Sequence, residues 1–204
     1  MTPDSHYEYA GVLPPIGTND LRGASTDGAF LYAAFDWVPA SLEVEPTEIR
    51  VTSMLPDRGI ATGDLISERI QADVYTAIFR PSPEWRTTSV FFGPYDVTEK
   101  ILPLKTGNLR VRTYFCDQDQ ELADAYLEAA GAYLARYSDQ IGPYPLSSYA
   151  IVSTPLPVGL AFDGLTYVSQ DILGHSYMLD RSLAHEVLHS WWGSGVRVDY
   201  ETGN

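Results

Sequence analysis

The pattern of hydrophobic and polar residues divides the chain into a strand-rich first half and a mixed second half. Between residues 47 and about 103, EIRVTSML alternates apolar and polar side chains, and QADVYTAIFR and VFFGPYDVTEKI are rich in β-branched and aromatic residues. Turn sequences such as PDRG and TGD separate these runs, and residues 1–46 are rich in turn-forming residues. This pattern is typical of β-strands, and it predicts an antiparallel β segment.

The second half combines helical and strand patterns. After a predicted strand at 108–116, apolar residues recur at steps of three and four from residue 117 to 141, and GPYP then ends the predicted helix. SSYAIVSTPLPVG and LTYVSQ indicate two further strands, and a last helix is predicted from Asp180, as its N-cap, to about Gly193. We therefore predict an α+β protein, with a β-rich unit over residues 1–105 and an α/β unit over residues 106–204.

The last predicted helix separates its side chains into an apolar and an ionisable face. At about 100° per residue, one side carries Ala184, Val187, Leu188 and Trp191. The opposite side carries Ser182, His185, Glu186 and His189. The apolar side is suited to packing on a core, which leaves the ionisable side free for chemistry.

The ionisable face has the H-E-x-x-H spacing of a zinc site. His185 and His189 are one helical turn apart, so both imidazoles can bind one metal ion. Glu186 is rotated by about a third of a turn from His185, where it faces a metal-bound water rather than the metal. Zinc lowers the pKa of its bound water to ~7, and Glu186 can then accept its proton. The sequence therefore predicts Zn²⁺ as cofactor, His185 and His189 as ligands, and Glu186 as catalytic base.

The third zinc ligand is not identified by the motif. Catalytic zinc sites use three protein ligands and keep one position open. His175 lies in a turn-like segment and His6 in the N-terminal segment, so neither is favoured. Asp199 and Glu201 follow the helix closely and can reach back towards it. These residues alone leave the choice open.

Composition and charge narrow the class of protein. Hydrophobic residues make up 45% of the chain, as in ordinary globular proteins. The net charge of −14 excludes a cationic surface for nucleic acid, so we expect no nucleic-acid partner. The first residues lack the basic and apolar regions of a signal peptide, and no apolar run approaches the ~18 residues that span a bilayer. The single cysteine, Cys116, excludes a disulfide framework within this chain.

Four segments from residue 108 onward carry a family resemblance. They are VRTYF with the acidic helix after it, IGPYPLSSYAIVS, GLAFDGLTYVS and LAHEVLHSWWGSGV. In this order they resemble the gluzincin metallopeptidases of the membrane alanyl aminopeptidase type, a family that also contains the leukotriene hydrolases. Upstream, VFFGPYDVTEKI resembles the last strands of the family's β-domain. The resemblance implies part of that β-domain over residues 1–105 and the first half of a thermolysin-like α/β catalytic domain over residues 106–204.

The resemblance also implies that part of the active site lies beyond this chain. The family's third zinc ligand is a glutamate nineteen residues after the second histidine, which would be position 208, four residues past Asn204. The tyrosine with which the family stabilises the oxyanion lies further downstream. We therefore expect the rest of the catalytic domain C-terminal to Asn204. We also expect the isolated chain to bind zinc poorly and to catalyse little.

A substrate-binding strand is implied by the segment GLAFDGL. The family binds its peptide substrate along a GAMEN strand at this place, which implies contacts from Gly159, Leu160, Ala161, Phe162 and Asp163. An ungapped alignment places Ala161 where the family's exopeptidases carry the glutamate that binds the substrate α-amine. Asp163 can replace that glutamate only if the strand shifts by two residues, which keeps side chains on the same face. A peptide substrate is therefore implied, while exo- and endopeptidase action both stay open.

Three functions are compatible with these observations. A zinc metallopeptidase is favoured, because the two histidines and the glutamate are all present. A non-catalytic relative that serves as a scaffold or binding module has no need to keep all three. Hydrolysis of a non-peptide substrate is the third, since the leukotriene hydrolases perform it with the same zinc constellation.

Overall fold

The computed structural model of the protein describes residues 23–25, 28–32, 48–81 and 88–193. In these ranges the strands are β1 Gly23–Ser25, β2 Gly28–Leu31, β3 Ile49–Met54, β4 Arg58–Ala61, β5 Asp64–Gln71, β6 Val74–Arg80, β7 Val90–Gly93, β8 Tyr95–Leu104, β9 Gly107–Cys116, β10 Ser148–Thr154, β11 Gly159–Phe162 and β12 Leu165–Ser169. The helical elements are a 3₁₀ segment Asp117–Leu122, α1 Ala123–Gln140, α2 Gln170–Leu173, a π segment Met178–Ser182 and α3 Leu183–Leu188. No helix within these described ranges is long and apolar enough to cross a membrane.

The described strands form three sheets, and their topology confirms the predicted α+β class. Two sheets, with the orders β3-β6-β5 and β1-β2-β7-β4, are antiparallel throughout. The third, which we call the mixed sheet, has the order β11-β12-β10-β9-β8. In it β9, β10 and β12 are parallel, whereas β8 and β11 are antiparallel to their neighbours. Helix α1 lies between β9 and β10, as a crossover between parallel strands requires.

The mixed sheet is buried on both faces. Successive strand residues point to opposite faces, so Tyr114 and Cys116 contact the antiparallel sheets while Phe115 contacts the helices. We call the first group of contacts the sheet-side core and the second the helix-side core. Strands covered on both faces are apolar along their length, which explains why β10 and β12 consist almost entirely of buried residues.

The predicted division at residue 105 falls in a tight turn. Strands β8 and β9 pair antiparallel from Tyr95 opposite Cys116 to Leu104 opposite Gly107, and Lys105 lies in the turn between them. Strand β8, which the sequence assigned to the first unit, is therefore an edge strand of the mixed sheet. Because the two cores share this sheet, the placement of a domain boundary at residue 105 stays a prediction.

A buried arginine links the β3-β6-β5 sheet to the mixed sheet. The Arg112 Nη2 atom lies 2.7 Å from Glu68 Oε1 and 2.6 Å from Glu99 Oε2. Arg112 Nη1 donates to the Tyr114 hydroxyl at 3.1 Å, and the Tyr75 hydroxyl donates to Glu68 Oε2 at 2.9 Å. Burial alone would raise the pKa of Glu68, but the Arg112 guanidinium, with smaller contributions from the Tyr75 hydroxyl and Arg58, lowers that pKa below its usual value.

Both predicted helices of the second half are present, with different boundaries. The first begins as the 3₁₀ segment Asp117–Leu122 and continues as α1, which ends at Gln140. Two residues later, Gly142 has a φ of 152°, which is outside the helical range. For the last helix, the prediction that Asp180 is the N-cap is wrong. Asp180 lies inside the π segment, where the backbone is already helical, and no side chain caps that segment. The α-helical part begins three residues later, at Leu183.

Candidate active site

Helix α3 is held in place by its apolar face. The side chains of Leu183 and Val187 are fully buried in the helix-side core, and Trp191 is 7% exposed. The Trp191 Nε1 atom donates to the Gly142 carbonyl at 3.0 Å, and its ring packs edge-on against Tyr144. The apolar face predicted from the sequence did not include Leu183. Its spacing of four residues from Val187 nevertheless places it on the same face of the helix.

The two histidines of α3 converge at the exposed side of the helix. Their Nε2 atoms lie 3.1 Å apart, with the ring planes at 86°. Two nitrogen ligands of one tetrahedral zinc ion, each at about 2.0–2.1 Å from the metal, lie about 3.3 Å from each other. The observed separation of His185 and His189 therefore fits a shared metal ion.

The tautomer of His189 also suits metal binding. Its Nδ1 atom lies 3.0 Å from the Trp192 carbonyl oxygen, which can only accept a hydrogen bond. In the neutral imidazole this hydrogen bond requires the proton on Nδ1, which leaves the Nε2 lone pair on the side of His185. An outer hydrogen bond to a backbone carbonyl is a common way of orienting a zinc-binding histidine. No sequence signal identifies this contact, because the acceptor is a backbone atom.

Among the described residues, the candidate metal ligands that lie together number two rather than three. Within them, no group of three or more His, Cys, Asp or Glu side chains is close enough to share a metal ion, so Glu186 does not join the histidine pair as a ligand. His175 is exposed and stacks on the Tyr177 ring with centroids 5.3 Å apart. The other candidates from the sequence, His6, Asp199 and Glu201, lie outside the described residues.

Glu186 is half-buried between α3 and strand β11. A Cβ atom placed on Gly159 would come 3.9 Å from Glu186 Oε1, so the carboxylate faces the first residue of β11. Tyr149 lies below it, fully buried, with its hydroxyl 2.5 Å from Thr166 Oγ1. Burial, and to a smaller extent the Glu186 carboxylate, raises the pKa of Tyr149 well above its usual value.

The predicted substrate strand is the edge strand β11 of the mixed sheet. It pairs on one side with β12, from Gly159 opposite Val168 to Phe162 opposite Leu165, and among the described strands none pairs with its other side. Gly159 is exposed, and Leu160 and Ala161 are half-buried.

The remaining two residues of the predicted substrate segment lie elsewhere. The Phe162 ring is buried in the sheet-side core, edge-on to Phe91 at 5.4 Å. Asp163 is buried in the turn after β11, and its carbonyl oxygen accepts a hydrogen bond from the Gly63 N–H at 2.8 Å. Substrate contacts from Gly159 to Asp163 stay a prediction.

The fold is similar to that of M1 zinc metallopeptidases of known structure. It matches the M1 zinc metallopeptidase from Deinococcus radiodurans with a TM-score of 0.52 and 20% identity, over 72% of this chain and 34% of that chain. It matches Legionella pneumophila aminopeptidase A in complex with aspartic acid with a TM-score of 0.60 and 16% identity, over 84% of this chain and 23% of that chain. No family model and no curated protein sequence matches the chain.

The structural matches define the class of fold. The described part of the chain combines antiparallel and mixed β-sheets with helices, and it shares this fold with the two matched proteins. It spans about a third of the one matched chain and about a quarter of the other, and at such identities the likeness shows the fold alone. The chemistry of this chain therefore depends on its own residues.

Proposed function

We propose that the protein is a zinc-dependent metallopeptidase of the aminopeptidase-like type. The observation that carries this proposal is the 3.1 Å separation of the His185 and His189 Nε2 atoms on the exposed side of α3, with Glu186 between them in sequence. The fold similarity to zinc metallopeptidases supports the same class of enzyme.

Each residue of the site has a distinct role in the proposed reaction. His185 and His189 hold the zinc ion, and the third protein ligand comes from outside the described residues. Bound zinc would polarise the scissile carbonyl and acidify a water molecule. Glu186 accepts the proton of the attacking water and returns it to the leaving amine.

The exposed edge of β11 is suited to binding the peptide. Its outer N–H and C=O groups can pair with an extended substrate, in the way that a peptide adds a strand to a sheet. The absence of a side chain at Gly159 leaves space between this edge and Glu186. A peptide bound there would lie next to the catalytic carboxylate.

The substitution Glu186→Gln in the full-length natural protein tests the proposal. Loss of the base should lower kcat for peptide and aminoacyl substrates by about 10²–10⁴-fold, while the zinc content stays unchanged. Glu121→Gln is the matched control, because Glu121 is an exposed glutamate on the 3₁₀ segment before α1. Undiminished activity of the Glu186→Gln variant would refute the assigned role.

A further inference from the structure

The π segment directly before α3 changes the direction in which the metal-binding helix faces. The backbone N–H of Leu183 bonds to the Met178 carbonyl, five residues back instead of the usual four. A π turn therefore holds one residue more than an α turn. Such turns are rare, and they often occur at functional sites.

Without this extra residue the two histidines would face the core. Met178 is buried, with 2% of its surface exposed. In a continuous α-helix, the residues in line with Met178 would be four, seven and eleven positions later. These positions are Ser182, His185 and His189.

With the π turn, the buried stripe passes from Met178 to Leu183 and then to Val187 and Trp191. All four of these side chains belong to the helix-side core. The shift by one residue rotates the following helix by about 100°. It thereby turns the histidine pair away from the core and onto the exposed side of α3.

Tyr133 on α1 holds the π segment. Its hydroxyl donates to the Leu179 carbonyl at 2.7 Å, inside the segment. One turn further along α1, the Tyr137 hydroxyl contacts the Ala184 carbonyl at the longer distance of 3.4 Å, and the two tyrosine rings stack. A partner for a backbone carbonyl stabilises irregular helical geometry, because the partner replaces bonding that a regular helix supplies.

We propose that Tyr133 is a positioning residue for the metal-binding helix. Its hydroxyl holds the π segment, and the π segment keeps His185 and His189 on the exposed side of α3. The relevance to zinc rests on the proposed function, whereas the rotation of the helix is a property of the metal-free protein.

The variant Tyr133→Phe tests this inference, with Tyr126→Phe as its matched control. Tyr126 lies on the same helix and donates to a carbonyl at a similar distance, 2.8 Å, but its acceptor is Leu173 in α2. In the full-length natural protein freed of metal, amide hydrogen exchange from Leu183 to His189 should be about 3- to 10-fold faster in Tyr133→Phe. The same amides should stay within about twofold of the natural protein in Tyr126→Phe. Equal exchange of these amides in both variants would overturn the inference.

Zinc affinity provides the second measurement. Tyr133→Phe should weaken zinc binding by about 3- to 10-fold, and Tyr126→Phe should leave it unchanged. If the natural protein binds no zinc, the proposed function fails, and the exchange experiment still decides the role of Tyr133. Equal zinc affinity in the natural protein and Tyr133→Phe would overturn the positioning role.

Deletion of Asp180 tests the π segment itself. Asp180 is exposed, and its removal would place Leu183 four positions after Met178, which is the spacing of a regular α turn. In the protein that lacks Asp180, adding Tyr133→Phe should not change the rate of amide exchange from Leu183 to His189. The full effect of Tyr133→Phe in the deletion background would show that Tyr133 does not act through the π segment.

Discussion

Both faces of the mixed sheet contain aromatic contacts, and they differ in the hydrogen bonds that accompany these contacts. In the sheet-side core, aromatic rings contact one another directly, with centroids 4.9 Å apart for Phe30 and Phe91 and 4.3 Å apart for Phe91 and Tyr167. In the helix-side core, tyrosine hydroxyls of α1 donate to backbone carbonyls, from Tyr126 to Leu173 and from Tyr133 to Leu179. Strand pairing already satisfies the backbone on the first face, whereas the short helical pieces on the second need side-chain partners.

This difference explains where the candidate site lies. On the helix side, the π segment before α3 rotates that helix, so that His185, Glu186 and His189 point away from the core. A continuous α-helix would not allow this orientation. The cost of that irregularity is offset by hydrogen bonds from α1.

The largest effect on stability is expected from breaking the aromatic contacts of the sheet-side core. Phe91 is fully buried, and Phe91→Ala should lower the free energy of unfolding by about 3–5 kcal/mol. Ile66→Ala is the control, because Ile66 is exposed on β5 and should change that free energy by no more than about 0.5 kcal/mol. Urea unfolding of both variants measures the difference. A loss below about 1 kcal/mol for Phe91→Ala would show that this core is not the main source of stability.

A smaller effect is expected from Glu68→Gln at the Arg112 network. The variant weakens one of two carboxylate contacts to a buried guanidinium, so it should lower the free energy of unfolding by about 1–3 kcal/mol. The pKa of Glu68 is lower in the folded than in the unfolded protein. The unfolded chain therefore binds more protons near pH 4, and the contribution of Glu68 is present above its unfolded pKa and is lost as the pH falls through its folded pKa.

The pH dependence sharpens this prediction. In Glu68→Gln, the loss of stability between neutral pH and about pH 3 should be shallower than in the natural protein. Unfolding experiments at a series of pH values provide the comparison. Identical slopes in the two proteins would mean that the Glu68–Arg112 contact contributes nothing that depends on charge.

Sequence patterns were sufficient for most of the elements and for the histidine pair of α3. Alternation and β-branched residues indicated β3, β6, β7 and β8, whereas β4 and β5 were not predicted. The spacing of His185 and His189 indicated their common face. The π segment was not predicted, and Asp180 was wrongly assigned as an N-cap. The five-residue step from Met178 to Leu183 is its only signal in the sequence, and a helical pattern with steps of three and four does not register it.

Hydrogen bonds from side chains to backbone atoms also could not be predicted from the sequence. The hydrogen bonds from Tyr133 to Leu179 and from His189 to Trp192 depend on where a carbonyl lies in space. A tyrosine on an amphipathic helix is equally compatible with simple burial. The choice of acceptor is decided by tertiary packing, which residue types alone do not reveal.

The central claim is that His185 and His189 share one metal ion, and cobalt binding tests it most directly. The metal-free full-length natural protein should bind one Co²⁺ ion per chain, with a visible absorption band that zinc abolishes. His185→Ala and His189→Ala should each weaken cobalt binding by at least about 100-fold, because even residues outside the ligand shell cost 10- to 100-fold. Glu186→Gln should retain the band. Cobalt binding of natural strength in His189→Ala would contradict the shared metal site.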